Sequence, residues 1–367
     1  MKRLWLVVTV LALVYALTVV LTQGGPLALV TLGTRFSDGD PLLDEGTEGY
    51  DGQFVYYIAR DPADAARFLD VPAYRFQRIL LPALGRLLAL GQVDVLPWVL
   101  LAVNLAALAG GTWALEQLLA QHSASKWYAL GYGLALGTLG AVRLTLPEPL
   151  AYGLALGGLL LMTRGRWLWA ALLFALAALA KETTLILAAA VGLYLLSNRR
   201  WREAVVFGIV ALLPFAAWQV ILAQRLGAAG VGAGGAMATS FEPIPFAGVV
   251  RILTEGGATV FLVLGAILLP FVLLPTLWGL WAAMGRLRRG DVSLNVWLLL
   301  VNAAVMLFIP FSTYREPLGI LRFIVGLQIA VILFAAQRRE RRALRYSTLW
   351  ALTLLILIAS DMGGGVG

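Results

Sequence analysis

The run Glu48-Gly49-Tyr50-Asp51-Gly52-Gln53-Phe54-Val55-Tyr56-Tyr57-Ile58-Ala59-Arg60-Asp61-Pro62 sets carboxylates, an amide and phenols side by side in a chain that is otherwise mostly apolar. Nine of the 20 acidic residues fall between Asp38 and Asp70, opposed there only by Arg60 and Arg67. Such a concentration offers proton acceptors for general-base chemistry, or oxygen ligands for a hard cation. Asp51, near the start of the run, is one such carboxylate. A short helix is expected over Phe54–Arg60, starting near Asp51. Phe54, Val55 and Ile58 form its apolar stripe, with Gln53, Tyr56, Tyr57 and Arg60 around the sides. Aspartate is also favoured at helix N-caps, so Asp51 reads as a cap too, although Phe54 three residues on supplies no capping box. Asp38-Gly39-Asp40 has the form of a DxD pair that could hold a divalent metal, the alternative being a solvated turn.

The cations that could answer these carboxylates lie further on. In Tyr74-Arg75-Phe76-Gln77-Arg78-Ile79-Leu80-Leu81-Pro82, Arg75 and Arg78 stand three apart and would share one face of a helix lying in the membrane interface. Arginines there either snorkel to lipid headgroups or clamp a phosphate, for which the planar guanidinium fork is suited. Three more charged sites fall near the outer ends of apolar segments: Arg143 with Glu148, Lys181 with Glu182, and Arg315 with Glu316. Ionisable groups at membrane depth are costly and tend to mark function, while pairing between neighbours is the plainer reading. Arg322 lies deepest in its segment and is the best candidate of this set for an anionic ligand. The only histidine, His122, reads as solvated, and nothing matches a serine triad, a P-loop or a zinc motif.

The elements that must position these residues are membrane helices. The 367 residues are 60% hydrophobic and 13% charged, with a mean hydropathy of +0.85; soluble domains carry about 25% charged residues. A net charge of +8 could indicate nucleic acid, but the basic residues concentrate in short loops, as the positive-inside rule distributes them. The absence of cysteine excludes disulfides and thiolate metal sites. Leu4–Leu21 reads as an uncleaved first helix with a cytoplasmic N-terminus. Further apolar segments run over residues 96–118, 127–144, 150–162, 167–180, 184–196, 204–223, 258–284, 294–311, 318–336 and 346–359. The expected fold is therefore an all-α polytopic membrane protein of about eleven transmembrane helices, one integral domain over residues 1–367. Threading the segments alternately gives one face Lys126, Arg164, Arg166, the arginines of 199–202 and 286–289, and five between 338 and 345. That face is cytoplasmic. The opposite face receives a large acidic loop, residues 23–94, with short juxtamembrane helices, and a second loop, 224–256. Within the second loop the Gly/Ala run Gly227–Ala238 is expected to be mobile.

Gly49-Tyr50-Asp51-Gly52-Gln53-Phe54-x-Tyr56-Tyr57-Ile58-Ala59-x-Asp61-Pro62, followed by Pro72-Ala73-Tyr74-Arg75-x-x-Arg78-Ile79-Leu80-x-Pro82, resembles a bacterial family of cell-surface glycopolymer-forming membrane proteins. More distantly it resembles the C-type glycosyltransferases (GT-C), among them dolichyl-phosphate-mannose-dependent mannosyltransferases. Pro147-Glu148-Pro149-Leu150-Ala151 and Leu179-Ala180-Lys181-Glu182-Thr183 also look like segments of that family. The resemblance implies a GT-C-like fold and a catalytic aspartate early in the first outer loop. Asp51 matches that aspartate, with Tyr57 and Ala59 behind it. It further implies a polyprenyl-phosphate sugar as donor and a cell-envelope glycan, lipid or protein as acceptor, at the outer face of the cytoplasmic membrane. Membrane lipids are then the other partners, nucleic acid is not one, and the only cofactor suggested is a divalent metal on Asp38 and Asp40. Under this reading Arg75, Arg78 or Arg322 steady the departing phosphate. Gln53, Tyr56 and Tyr57 meet sugar hydroxyls or simply pack, and Glu148, Lys181, Glu182 and Arg315 complete the substrate site. The rival reading is a transporter or flippase of a lipid-linked glycan, which would set ionisable residues on broken helices near mid-membrane.

Overall fold

The computed structural model describes residues 3–37 and 46–363, and every regular element among them is helical. Helix α1 is Leu4–Thr22. The segment that follows it carries α2 (Gly52–Arg60), α3 (Pro72–Phe76) and α4 (Leu80–Leu88). Then follow α5 (Leu96–Gln121), α6 (Glu148–Thr163), α7 (Trp167–Ala180), α8 (Leu185–Ser197) and α9 (Trp201–Leu226). The remainder is α10 (Ala247–Leu287), α11 (Leu294–Met306), α12 (Pro317–Phe323), α13 (Val325–Arg338) and α14 (Arg341–Met362).

Five of these, α1, α5, α9, α10 and α14, are long and apolar enough to cross a membrane, and α12 with α13 makes a sixth if their 44° bend is one broken span. The chain is thus a multi-pass α-helical membrane protein. Four expected spans become short helices, α6, α7, α8 and α11, of 13 to 16 residues. At 1.5 Å per residue these reach only about 20–24 Å of an apolar layer about 30 Å thick. The expected span over 127–144 is not one helix. It breaks into short helical pieces, among them Lys126–Ala129, Leu130–Gly133, Leu136–Gly140 and Ala141–Arg143. Its glycines let neighbouring backbone approach closer than a side chain allows, Gly131 against the Ser347 carbonyl and Gly137 against that of Leu321. Irregular backbone at this depth is tolerated because protein, not lipid, surrounds it; Leu136 and Leu139 are buried.

Short helices matter for the site. Where α6 starts at Glu148 and α7 gives way to Lys181 and Glu182, helix ends meet inside the protein instead of at its surface. Over them lies the segment between α1 and α5, whose Phe54, Ile58, Phe76 and Leu81 form a second apolar core with Leu100, Leu150, Ala180 and Leu222 of the bundle. The expected two-sided α2 is instead buried from Gly52 through Ala59. Gly49, at φ +68°, and Gly52, whose absent side chain would fall 2.1 Å from the Leu144 carbonyl, let the chain press Asp51 onto the bundle. The Gly/Ala run is also held. Gln219 accepts from the Gly230 and Val231 amides at 2.8 and 3.1 Å, and Asp70 accepts from that of Ala236 at 3.1 Å.

Candidate active site

Asp51 stands at the N-terminal boundary of α2 in helical backbone conformation, and its side chain caps nothing. Both carboxylate oxygens point instead to arginines. Arg75 Nη1 donates to Oδ1 and Arg322 Nη2 to Oδ2, each at 2.8 Å. Each arginine is fixed by a second carboxylate. Asp70 takes Nε and Nη2 of Arg75 at 2.7 Å, a fork-to-fork pair, while Phe54 lies under the guanidinium at 4.1 Å. Glu148, fully buried at the start of α6, takes Arg322 Nε at 2.7 Å and Lys181 Nζ at 2.5 Å on one oxygen. Its other oxygen is buried with no partner. Tyr50 links inward and outward, accepting from Arg322 Nη1 at 2.7 Å and donating to Glu316 at 3.1 Å. Beside this chain, Arg78 forks onto Glu182 at 2.6 and 2.9 Å and onto the Tyr74 hydroxyl at 2.7 Å.

Four carboxylates (Asp51, Asp70, Glu148, Glu182) thus meet four cations (Arg75, Arg78, Arg322, Lys181), so the buried network is neutral as it stands. Burial pushes the Asp51 carboxyl up, but Arg75 and then Arg322 outweigh it and hold it far below the ordinary carboxylate range. Burial likewise raises Asp70, and the Arg75 fork more than reverses it. Asp51 is therefore firmly ionised. It is also the least buried carboxylate of the Asp51, Asp70 and Glu148 chain, its side chain 27% exposed against 0% for Glu148. It borders a recess of about 20 Å³ lined by Phe54, Arg75, Arg78, Pro147 and Arg322, room for about one water. Ile58 and Pro82 line this recess and also a larger groove of about 540 Å³ with Pro62, Ile79, Ala83, Leu87 and Leu90. A mostly apolar groove, with Arg86 also in its wall, thus shares Ile58 and Pro82 with the charged recess.

Asp51, Arg75, Arg78, Glu148, Lys181, Glu182 and Arg322, far apart in sequence, are brought together here. Their partners differ from the neighbour pairs expected: Glu148 binds Lys181 and Arg322, Glu182 binds Arg78, and Arg143 binds Asp361. Arg75 and Arg78 do not share one helix, since α3 ends at Phe76, yet both reach the recess. Three candidates stand apart. Gln53 is buried against backbone, accepting from Gly33 N at 3.0 Å and donating to the Glu48 carbonyl at 2.8 Å. Tyr57 stacks on Phe68 at 5.0 Å. Arg315 is exposed and lies over Phe311 at 5.3 Å. Asp38 and Asp40 lie outside the described residues, and no group of three or more possible metal ligands occurs among those described. Sequence reasoning passed over Asp70 and Tyr50; the one usable signal was that both flank chosen residues, Asp70 five before Arg75 and Tyr50 next to Asp51. No family model matches the chain, and no curated protein or solved structure matches it.

Proposed function

We propose that this protein is an inverting GT-C-type glycosyltransferase that moves a sugar from a polyprenyl-phosphate donor to a cell-envelope acceptor at the outer face of the cytoplasmic membrane. The observation that carries the reading is a recess at a carboxylate flanked by two arginines, next to a mostly apolar groove with which it shares Ile58 and Pro82. A polyprenyl phosphate has the matching form: a long hydrocarbon chain, then a phosphate, then a sugar. The groove takes part of the chain, and Arg75 and Arg322 face the phosphate, with Arg78 beside them. Asp51 accepts the acceptor's hydroxyl proton. The hydroxyl oxygen forms its bond to the anomeric carbon as the bond from that carbon to the phosphate oxygen breaks. The electron pair leaves with the phosphate, which gains one negative charge while Asp51 loses one, so the buried network keeps its balance. Spreading the developing charge over preorganised guanidinium groups is the main catalytic term. The topology assigned to the helices, with 23–94 outside, belongs to this same proposal.

Purified protein in liposomes, given labelled polyprenyl-phosphate sugars and an envelope extract as acceptor, should transfer label, and a folded Asp51→Asn variant should not. Equal transfer by both would remove Asp51 from the reaction. One observation favours the rival transport reading: α12 and α13 meet at 44°, with buried Arg322 just before the bend. Labelled lipid crossing the bilayer without any sugar transfer would establish that reading instead.

A further inference from the structure

The clamp on Asp51 conflicts with its use as a base. A carboxylate with a guanidinium on each oxygen is a poor proton acceptor, and the recess beside it holds about one water, too little for a phosphate. The arginines have capacity to spare. Arg75 and Arg322 each direct three of their five N–H donors at the side chains described above. Each also keeps a second carboxylate, Asp70 or Glu148, that would hold it in place if Asp51 let go. Asp51 is the most accessible of those three carboxylates. It stands at the start of α2 and its side chain caps none of that helix's amides, so turning the carboxylate away sacrifices no helix bond.

We propose that Asp51 is a place-holder anion: it occupies the phosphate position between Arg75 and Arg322 until a polyprenyl phosphate displaces it, and only the displaced carboxylate serves as base. The inference rests on the donor reading above and adds an order to it. Donor phosphate enters first and takes guanidinium donors from Asp51. The freed carboxylate, now beside another anion, rises in basicity, and the acceptor hydroxyl is activated afterwards. An empty site cannot waste its base on water, because the base is neutralised until the donor arrives.

A place-holder competes with the ligand it imitates, so removing its charge should strengthen phosphate binding. Farnesyl phosphate titrated into the full-length protein in nanodiscs should bind Asp51→Asn at least about tenfold more tightly than wild type, a gain of about 1.4 kcal/mol. Arg322→Gln should bind it more weakly than wild type. Farnesol, which lacks the phosphate, should bind wild type and Asp51→Asn alike. If Asp51→Asn folds poorly, Asp51→Ser removes the same charge and should tighten binding in the same direction. Inorganic phosphate alone separates the sources: tightening with it too leaves the place-holder intact and takes the hydrocarbon chain out of the recognition. Equal or weaker farnesyl phosphate binding by folded, charge-removed variants overturns the place-holder while leaving the donor reading standing. Failure of wild type and both variants to bind farnesyl phosphate or inorganic phosphate overturns the donor reading, and the place-holder with it.

Discussion

Two buried arginines, Arg143 and Arg322, look alike in sequence and are used differently. Arg143 is 1% exposed and meets only fixed protein acceptors: Asp361 on Nε and Nη2 at 2.9 and 2.6 Å, Gln23 on Nη2, and Thr31 and the Ala28 carbonyl on Nη1. All five donors are spoken for. Asp361 in turn accepts from Tyr15 at 2.5 Å, and its side chain is 7% exposed. This centre ties α14 to α1 and to the segment that follows α1, and its members line neither the recess nor the groove. Arg322 is nearly as buried, yet its partner Asp51 borders a recess and its other partner, Glu148, has an unpartnered oxygen. A saturated buried ion pair holds elements together; one with spare donors, an orphaned acceptor and an open side is built to meet something else.

The contrast breaks first at Asp51 and Arg322. Asp51→Asn should lower sugar transfer by about 10²–10⁴-fold, the range of a lost general base. Its unfolding midpoint in nanodiscs should fall by no more than a few degrees, because Arg75 and Arg322 keep Asp70 and Glu148 as partners. Arg322→Gln should cost about 10²–10³-fold in transfer. Arg143→Gln should do the reverse. It strands Asp361 in a buried site and should destabilise the protein by about 3–5 kcal/mol, while transfer per folded molecule stays within about threefold of wild type. Loss of transfer by Arg143→Gln at a temperature where it is fully folded would erase the distinction between the two centres.

How legible this was from sequence follows from the same pairings. The membrane class was plain, because apolar runs and arginine-rich short loops are properties of local composition. Helix α2, with Asp51 at its start, lies in a motif of about 15 residues, where local pattern suffices to read a helix. The partners were not legible. Glu148 and Arg322 lie 174 residues apart and Arg78 and Glu182 lie 104 apart, and a sequence read segment by segment pairs each charge with its neighbour. Helix lengths blurred for a related reason. Leu136 and Leu139 are as apolar as any span residue, yet that stretch is broken into short helical pieces with close approaches at Gly131 and Gly137. The places of Gln53 and Tyr57 were not legible either, since polar atoms in a motif resemble ligands for a substrate, while here the amide of Gln53 holds backbone and Tyr57 stacks on Phe68.

Asp70 sharpens the comparison from within the site. It touches no recess, so its part is to position Arg75. Asp70→Asn should lower kcat about ten- to hundredfold through a misplaced guanidinium, and Asp70→Glu should recover most of that loss. A merely structural residue would show a matching fall in thermal stability and no such rescue.

The smallest effect is one of pH. Because the folded-state Asp51 carboxyl is held far below its ordinary value, its clamp stabilises the fold fully above the unfolded pKa, about 3.9. That stabilisation is lost only as pH falls through the depressed folded value. Between pH 8 and 5 the difference in unfolding midpoint between wild type and Asp51→Asn should therefore be constant. It should shrink only below about pH 4, and by no more than a few degrees. A difference that already changes between pH 5 and 7 would mean that Asp51 titrates near neutrality in the empty protein. The arginines would then not hold it, and the open centre would differ from the saturated one in exposure alone rather than in the state of its carboxylate.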